Sequence, residues 1–159
     1  MKCTVYCSGN LKEKYWRDAE AEYAKRMKRF GGWNVVELPE APLPERPSQK
    51  EIDRALEKEG EALLKKLPAQ AYPIALCVEG KQRSSEALAA LLEEIPQTGK
   101  SEIALIIGSS HGLAETVKKA CRLRLSVSPM TFPHQMMRVI LAEQFYRAHK
   151  INANESYHK

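Results

Sequence analysis

The chain has 159 residues, 25 of them Lys or Arg and 20 Asp or Glu, which gives a net charge of +5. This length predicts a single domain over residues 1–159 that folds without disulfide crosslinks, and the longest apolar run, 103–107, is far short of the roughly 20 residues that cross a membrane. Because no secretion signal is visible either, we expect a cytoplasmic protein with no membrane partner. The positive charge is compatible with nucleic-acid binding, although an ordinary solvated surface carries as much.

The four cysteines of the chain are the candidates for crosslinks or metal binding. They are Cys3, Cys7, Cys77 and Cys121, and they form neither a C-x-x-C pair nor a zinc-ligand spacing. Each lies in an apolar or strand-like stretch. We therefore expect reduced, buried thiols and no metal site.

The first third of the chain has the pattern of a β-α-β unit. Residues 2–7 and 33–38 are predicted strands, and the charged amphipathic segment 11–30 between them is a predicted helix that ends at two glycines. Four prolines in 39–47 indicate an extended loop with few backbone hydrogen bonds.

Strand and helix patterns continue to alternate along the rest of the chain. Ser48 and Glu51 predict a capping box at the start of a helix over 49–67, and the apolar run Ile74 to Val78 indicates a buried parallel strand ended by Gly80. The remaining predicted elements are a helix capped by Ser84 or Ser85, a strand over 102–107, a short helix from Leu113, a strand over 123–127 and a helix from Pro133 to about His149. This alternation predicts an α/β fold, an open parallel sheet with helices on both faces.

Such a sheet binds ligands outside the carboxyl ends of its strands. Three turns are expected there: Glu79-Gly80, Gly108 to Gly112, and Val127 to Phe132. A glycine-containing turn is also what an ordinary strand-to-helix connection needs. The sequence lacks a Gly-x-x-x-x-Gly-Lys phosphate loop, a Gly-x-Gly-x-x-Gly fingerprint, a Gly-x-Ser-x-Gly elbow and a His-Glu-x-x-His helix. Nucleotide hydrolysis, dinucleotide-dependent redox chemistry and metal-dependent hydrolysis are therefore disfavoured.

Four segments together resemble a known family. They are Ile106-Ile107-Gly108-Ser109-Ser110-His111-Gly112-Leu113, Leu125-Ser126-Val127-Ser128-Pro129-Met130-Thr131-Phe132-Pro133-His134-Gln135, Glu143-Gln144-Phe145-Tyr146-Arg147-Ala148 and Tyr157-His158-Lys159. The chain resembles, over its full length, the RlmH family of large-subunit rRNA methyltransferases in the SPOUT superfamily. The resemblance implies an S-adenosylmethionine-dependent enzyme that methylates N3 of a pseudouridine in 23S rRNA on assembled 70S ribosomes. It also implies a homodimer and a C-terminal trefoil knot, which no periodicity could predict.

The resemblance also assigns cofactor contacts to the three turns. These fall on Leu76, Gly108, Val127, Ser128, Pro129, Met130, Thr131 and Phe132. For Met130 and Phe132, packing in the hydrophobic core is the alternative. The chain departs from the family pattern at Ser109, where a second glycine is common, and at Lys159, where an arginine is common and would provide a bidentate fork.

The C-terminal residues are the candidates for chemistry and for RNA contact. N3 of a pseudouridine must lose a proton, and we expect His158 or Arg147 to accept it or to stabilise the developing anion. Tyr157, His158 and Lys159 are expected to contact RNA, although a chain terminus is more often frayed. Arg147 is alternatively only the i, i+4 partner of Glu143.

Three functional hypotheses are left open. The first is the rRNA methyltransferase implied by the resemblance, in which a second subunit is expected to supply RNA contacts to a composite site. The alternatives are a ribosome-binding module without catalysis and a SPOUT methyltransferase acting on tRNA ribose or guanine. His111 and His149 are expected on the surface without a role.

Overall fold

The computed structural model describes residues 1–157, which form one five-stranded parallel sheet in the order β2-β1-β4-β3-β5. The strands are β1 Lys2–Ser8, β2 Trp33–Leu38, β3 Ala71–Gln82, β4 Glu102–Ile107 and β5 Leu123–Ser126. The helices are α1 Lys14–Met27, α2 Gln49–Lys66, α3 Ser85–Glu94, α4 Glu115–Ala120 and α5 His134–Asn152, with short 3₁₀ turns at Lys28–Phe30 and Ile95–Thr98.

Helices cover both faces of the sheet, and the period-two alternation of the strands supplies a core to each. On β4, Ile103 and Leu105 face the layer formed by α1, α3 and α5. Ala104 and Ile106 face the opposite layer, formed by α2 and α4. Every residue of β4 is buried, as expected for the central strand of a sheet covered on both sides. The predicted α/β class is confirmed.

The helix boundaries follow the local signals. The Ser48 side chain accepts a hydrogen bond from the Glu51 amide (3.3 Å), and the Glu51 carboxylate accepts one from the Ser48 amide (2.7 Å), so the predicted capping box is confirmed. Ser84, rather than Ser85, caps α3. None of the helices within residues 1–157 combines the length and the hydropathy needed to cross a bilayer.

The prediction that Gly80 ends the third strand is wrong. β3 continues to Gln82, and its pairing with β5 shifts so that Leu125 lies opposite both Leu76 and Lys81. The residues between those two positions bulge out of the sheet. A Cβ on Gly80 would come within 2.7 Å of the Leu125 carbonyl carbon, so glycine is required because the two backbones approach closely, and not because the strand stops.

Two side-chain predictions have different outcomes. All four cysteines are free, but burial holds for two of the four: Cys3 and Cys7 are buried, whereas Cys77 and Cys121 are partly exposed. Burial raises the pKa of the Cys7 thiol to about 11. The prediction that His149 lies at the surface is wrong. Its ring is partly buried, stacks on Phe30 with centroids 5.0 Å apart and an interplanar angle of 4°, and leaves Nε2 buried without a partner among the described residues.

Candidate functional site

The carboxyl ends of β3, β4 and β5 surround a cavity of about 690 Å³, here called the main cavity. All three predicted turns contribute to its lining: 76–79 after the first half of β3, 107–113 after β4, and most of 126–134 after β5. Because parallel strands end at the same edge of a sheet, turns far apart in sequence meet here.

The bulge in β3 forms one wall of the main cavity. Pairing with β5 is interrupted after Leu76, and Cys77, Val78 and Glu79 line the opening. Val78 is 50% exposed although it belongs to an otherwise apolar strand. The bulge therefore turns part of an apolar strand into an edge that faces the cavity.

The turn after β4 forms the floor and depends on Gly108. A Cβ on Gly108 would lie 2.0 Å from the Gly112 carbonyl oxygen, a contact that no other residue could make without moving the turn. The Gly112 amide donates to the Ser109 carbonyl oxygen at 2.9 Å, and Gly112 has a φ of 90°. Ser109 lies in the same turn, at the position where the family that the chain resembles commonly has a second glycine.

The loop 127–133 forms the third side of the main cavity, and hydrogen bonds of Ser126 and Ser128 stabilise it. The Ser126 hydroxyl donates to the Ser128 carbonyl oxygen (3.1 Å), and the Ser128 hydroxyl accepts from the Met130 amide (3.0 Å). Met130 is 71% exposed, so core packing does not explain it. Phe132 is half-buried and packs against the core layer of α1, α3 and α5 while it also lines the cavity.

The main cavity brings together most of the residues predicted to bind a cofactor. Seven of the eight predicted positions line it, and they are Leu76, Gly108, Val127, Ser128, Met130, Thr131 and Phe132. Pro129 lies in the same loop but is not among the lining residues.

An ion pair in the lining was missed by sequence reasoning. Lys118 of α4 binds the Glu79 carboxylate, and its Nζ lies 3.9 Å from Glu115 Oε2. The hydrogen bond from Lys118 lowers the pKa of Glu79. A signal was present, because Glu79 directly follows an apolar strand and a carboxylate there must face an edge of the sheet.

Arg147 and Tyr157, two of the residues predicted for catalysis and RNA binding, form a separate cluster at the other end of α5. Arg147 donates to Glu143 Oε1 from Nε (3.0 Å) and Nη2 (2.6 Å), so the predicted i, i+4 pair is confirmed. The Arg147 guanidinium lies 4.8 Å from the centroid of the Tyr157 ring, which also packs edge-on against Tyr146. His158 and Lys159 lie outside the described residues.

This cluster is distant from the main cavity within one chain. Met137 lines the cavity, and Arg147 follows ten residues later on the same helix. At about 1.5 Å of rise per residue, this spacing corresponds to about 15 Å along the helix axis. A single copy of the chain therefore does not place Arg147 and Tyr157 beside its main cavity.

A buried ionic network holds the first turn of α5. Arg138 is 3% exposed and donates to both carboxylate oxygens of Glu20 on α1 (3.1 and 2.6 Å) and to Glu37 on β2 (2.7 Å). Burial lowers the pKa of Arg138, but the hydrogen bonds to the two carboxylates raise it overall. Arg138 thereby fixes the helix turn that carries His134 and Met137 to the cavity wall. The sequence gives no sign of these partners, which lie more than 100 residues away.

Comparisons with known proteins agree with this architecture. A family model described as a predicted SPOUT methyltransferase matches residues 1–158. The crystal structure of a probable methyltransferase from Bordetella pertussis Tohama I resembles the chain with a TM-score of 0.55 and 16% sequence identity, and the match covers 92% of each chain. At this identity, the structural likeness concerns the fold.

Proposed function

The chain belongs to the family of SPOUT methyltransferases, and we propose that it transfers a methyl group from S-adenosylmethionine to N3 of a pseudouridine in 23S rRNA on assembled 70S ribosomes. The observation that carries the proposal is the convergence of three turns on one cavity, with seven of the eight expected cofactor positions in its lining. The substrate part rests on the resemblance of the segments 106–113, 125–135, 143–148 and 157–159 to the RlmH family.

The residues of the main cavity suit S-adenosylmethionine. Leu76, Met130 and Phe132 offer apolar surface for a purine ring, while the Thr131 hydroxyl and the loop amides offer hydrogen bonds for the ribose. The volume of about 690 Å³ lies within the usual range for small-molecule sites. When bound, the sulfonium group supplies an electrophilic methyl group.

The protein must position the acceptor nitrogen and assist the loss of its proton. We propose that His158 accepts the proton or that Arg147, a permanent cation, stabilises the developing negative charge. Arg147 is held in one orientation by Glu143 and Tyr157, which would preorganise its guanidinium. Tyr157, His158 and Lys159 would then contact the RNA near the target base.

The separation of Arg147 from the main cavity supports a homodimer with composite sites. One protomer would supply the cofactor cavity, and its partner would supply the Arg147–Tyr157 cluster. Met130 and Val78 leave apolar surface exposed at the cavity mouth, as a surface covered by another molecule does. We also propose that the chain after β4 threads the trefoil knot implied by the resemblance. In support, β5 lies at the edge of the sheet, and α5, which follows it, packs back against α3 and α1.

The test is to incubate the purified protein with methyl-labelled S-adenosylmethionine and either assembled ribosomes or free 23S rRNA, both from cells lacking the modification. N3 lies on the pairing edge of the base, so its methylation stops reverse transcription and locates the label. We expect label at the pseudouridine of assembled ribosomes, loss of activity in Tyr157→Ala, and normal activity in Tyr15→Ala, which changes an exposed tyrosine of α1.

Two other results of this experiment would contradict parts of the proposal. Label on tRNA ribose or guanine would retain the methyl transfer and refute the rRNA substrate. Calorimetry with S-adenosylmethionine distinguishes the remaining case: ribosome binding without cofactor binding would identify a non-enzymatic ribosome-binding module.

A further inference from the structure

A second cavity, of about 580 Å³, lies beside the main cavity at the carboxyl ends of β1 and β2. Ser110 and His134 line both cavities, so the two spaces share a wall. His134 begins α5, whose first turn is fixed by Arg138. A group-transfer enzyme holds two reactants side by side, and two adjoining cavities with one common wall provide that arrangement.

The rim of the second cavity is held in place by hydrogen bonds between distant segments. The Lys12 amide donates to Gln135 Oε1 at 3.2 Å, which joins the loop after β1 to α5. Arg17 Nη1 donates to the Leu11 carbonyl oxygen (3.0 Å) and to the Lys12 carbonyl oxygen (2.6 Å). Glu37 accepts from Arg138 at 2.7 Å. The loop therefore has a defined conformation before any ligand arrives.

The charges in the lining favour a neutral ring over a phosphate. Lys12 is the lysine of the lining, and two carboxylates, Glu37 and Glu40, accompany it. Because Glu37 is already paired with Arg138, Lys12 and Glu40 leave the lining close to neutral, whereas nucleic-acid-binding surfaces that contact the backbone carry an excess of Lys and Arg. The phosphates of a bound nucleotide would thus lie outside the second cavity.

The polar groups suit the edge of a pyrimidine that carries an imide. Such an edge presents one N–H donor between two carbonyl acceptors. Asn10 and Gln135 contribute side-chain amides, Lys12 contributes donors, and Glu40 contributes an acceptor. Leu38 adds apolar surface for a ring face.

We propose that the second cavity receives the acceptor nucleobase, a pyrimidine with an imide edge, and that Asn10 and Lys12 bind that edge while His134 forms the boundary with the methyl donor. This inference rests on the proposed function, because it assigns the second reactant of the same reaction. It assigns base selection to the loop after β1.

The experiment combines a binding measurement with kinetics. With the main cavity saturated by S-adenosylhomocysteine, uridine 5′-monophosphate is titrated into ¹⁵N-labelled protein, and cytidine 5′-monophosphate, which lacks the imide N–H, serves as the comparison. We expect amide shifts at Asn10, Lys12 and Gln135 with the uridine nucleotide only. In the ribosome assay, Asn10→Ala should lower kcat/KM about tenfold while its affinity for S-adenosylhomocysteine stays unchanged.

Lys14→Ala is the matched control, because Lys14 is an exposed residue of α1 that pairs with Asp18 and does not line the cavity. Equal shifts with both nucleotides, or a wild-type kcat/KM in Asn10→Ala, would overturn the inference. If wild-type protein fails to bind S-adenosylhomocysteine, the proposed function fails instead, so the two failures are distinguishable.

Discussion

The Arg138 network gives the sharpest quantitative prediction. Arg138→Met removes the cation between Glu20 and Glu37 but retains a long side chain of similar volume. Glu20 is 8% exposed and would keep a buried carboxylate without its main partner, whereas Glu37 reaches solvent. Removing one partner of a buried ion pair lowers the free energy of unfolding by about 3–5 kcal/mol, because the remaining charge stays buried without a partner.

For a chain of this length, each kcal/mol corresponds to a Tm change of about 2–4 °C, so Arg138→Met should lower Tm by roughly 10 °C. The second variant, Arg138→Met with Glu20→Met, removes both buried charges and should regain most of the loss, because an apolar pair of similar volume can replace a buried ion pair at little cost. The two substitutions should therefore be strongly non-additive.

The assay is thermal unfolding, for Tm, and urea unfolding, for the free energy, both followed by circular dichroism, with Arg26→Met as the control. Arg26 pairs with Glu22 on the exposed side of α1, and its loss should change the free energy of unfolding by less than about 1 kcal/mol. If Arg138→Met matched Arg26→Met, or if the double variant were no more stable than Arg138→Met alone, the network would not hold α5 as described.

Three further predictions concern the cavity, the pH dependence and the composite site. Gly108→Ala should weaken S-adenosylhomocysteine binding at least about tenfold by calorimetry, because the added Cβ meets the Gly112 carbonyl oxygen; an unchanged Kd would contradict this. Burial, aided by the N-terminal amine, lowers the pKa of His149 to about 4 from its ordinary 6.5, so the unfolded chain binds the extra proton between these values and stability should fall as pH drops from 6.5 to 4. His149→Phe should flatten that dependence in urea titrations, and an unchanged slope would refute the assignment. A 1:1 mixture of Gly108→Ala and Arg147→Ala chains, each inactive alone, should recover about a quarter of wild-type activity on ribosomes, because about half of the dimers are mixed and each mixed dimer has one intact composite site; a site contained in one chain would recover none.

Local signals were sufficient to predict most of the elements and the edge of the sheet that carries the main cavity. The apolar run at 102–107 predicted the central strand, and the Ser48–Glu51 capping box predicted the start of α2. Since all strands are parallel, their following turns had to share one edge, which placed the Gly108 turn and the loop 127–132 together. These inferences use only neighbours in sequence and the geometry of a parallel sheet.

The errors arose where distant residues decide the outcome. Gly80 has the local pattern of a strand end, but the approach of β5 determines that β3 bulges and continues. His149 lies in a polar stretch of α5, and its burial depends on Phe30 from the connection after α1. Arg138 was indistinguishable from a surface arginine until α1 and β2 were placed around it. Contacts made across the fold leave little trace in a single sequence.

The distribution of charge separates affinity from specificity in the proposed reaction. The net charge of +5 favours a polyanion, yet Lys118 in the main cavity is paired with Glu79, and in the second cavity Glu37 is paired with Arg138 while Glu40 balances Lys12. Neither cavity therefore has the positive charge that would attract phosphates.

Phosphate contacts position a protein on a nucleic acid, while base contacts specify the site. Attraction to the ribosome must then come from lysines and arginines elsewhere on the surface, and should weaken with salt. Selection of the target base, which depends on short-range contacts inside the cavities, should change far less.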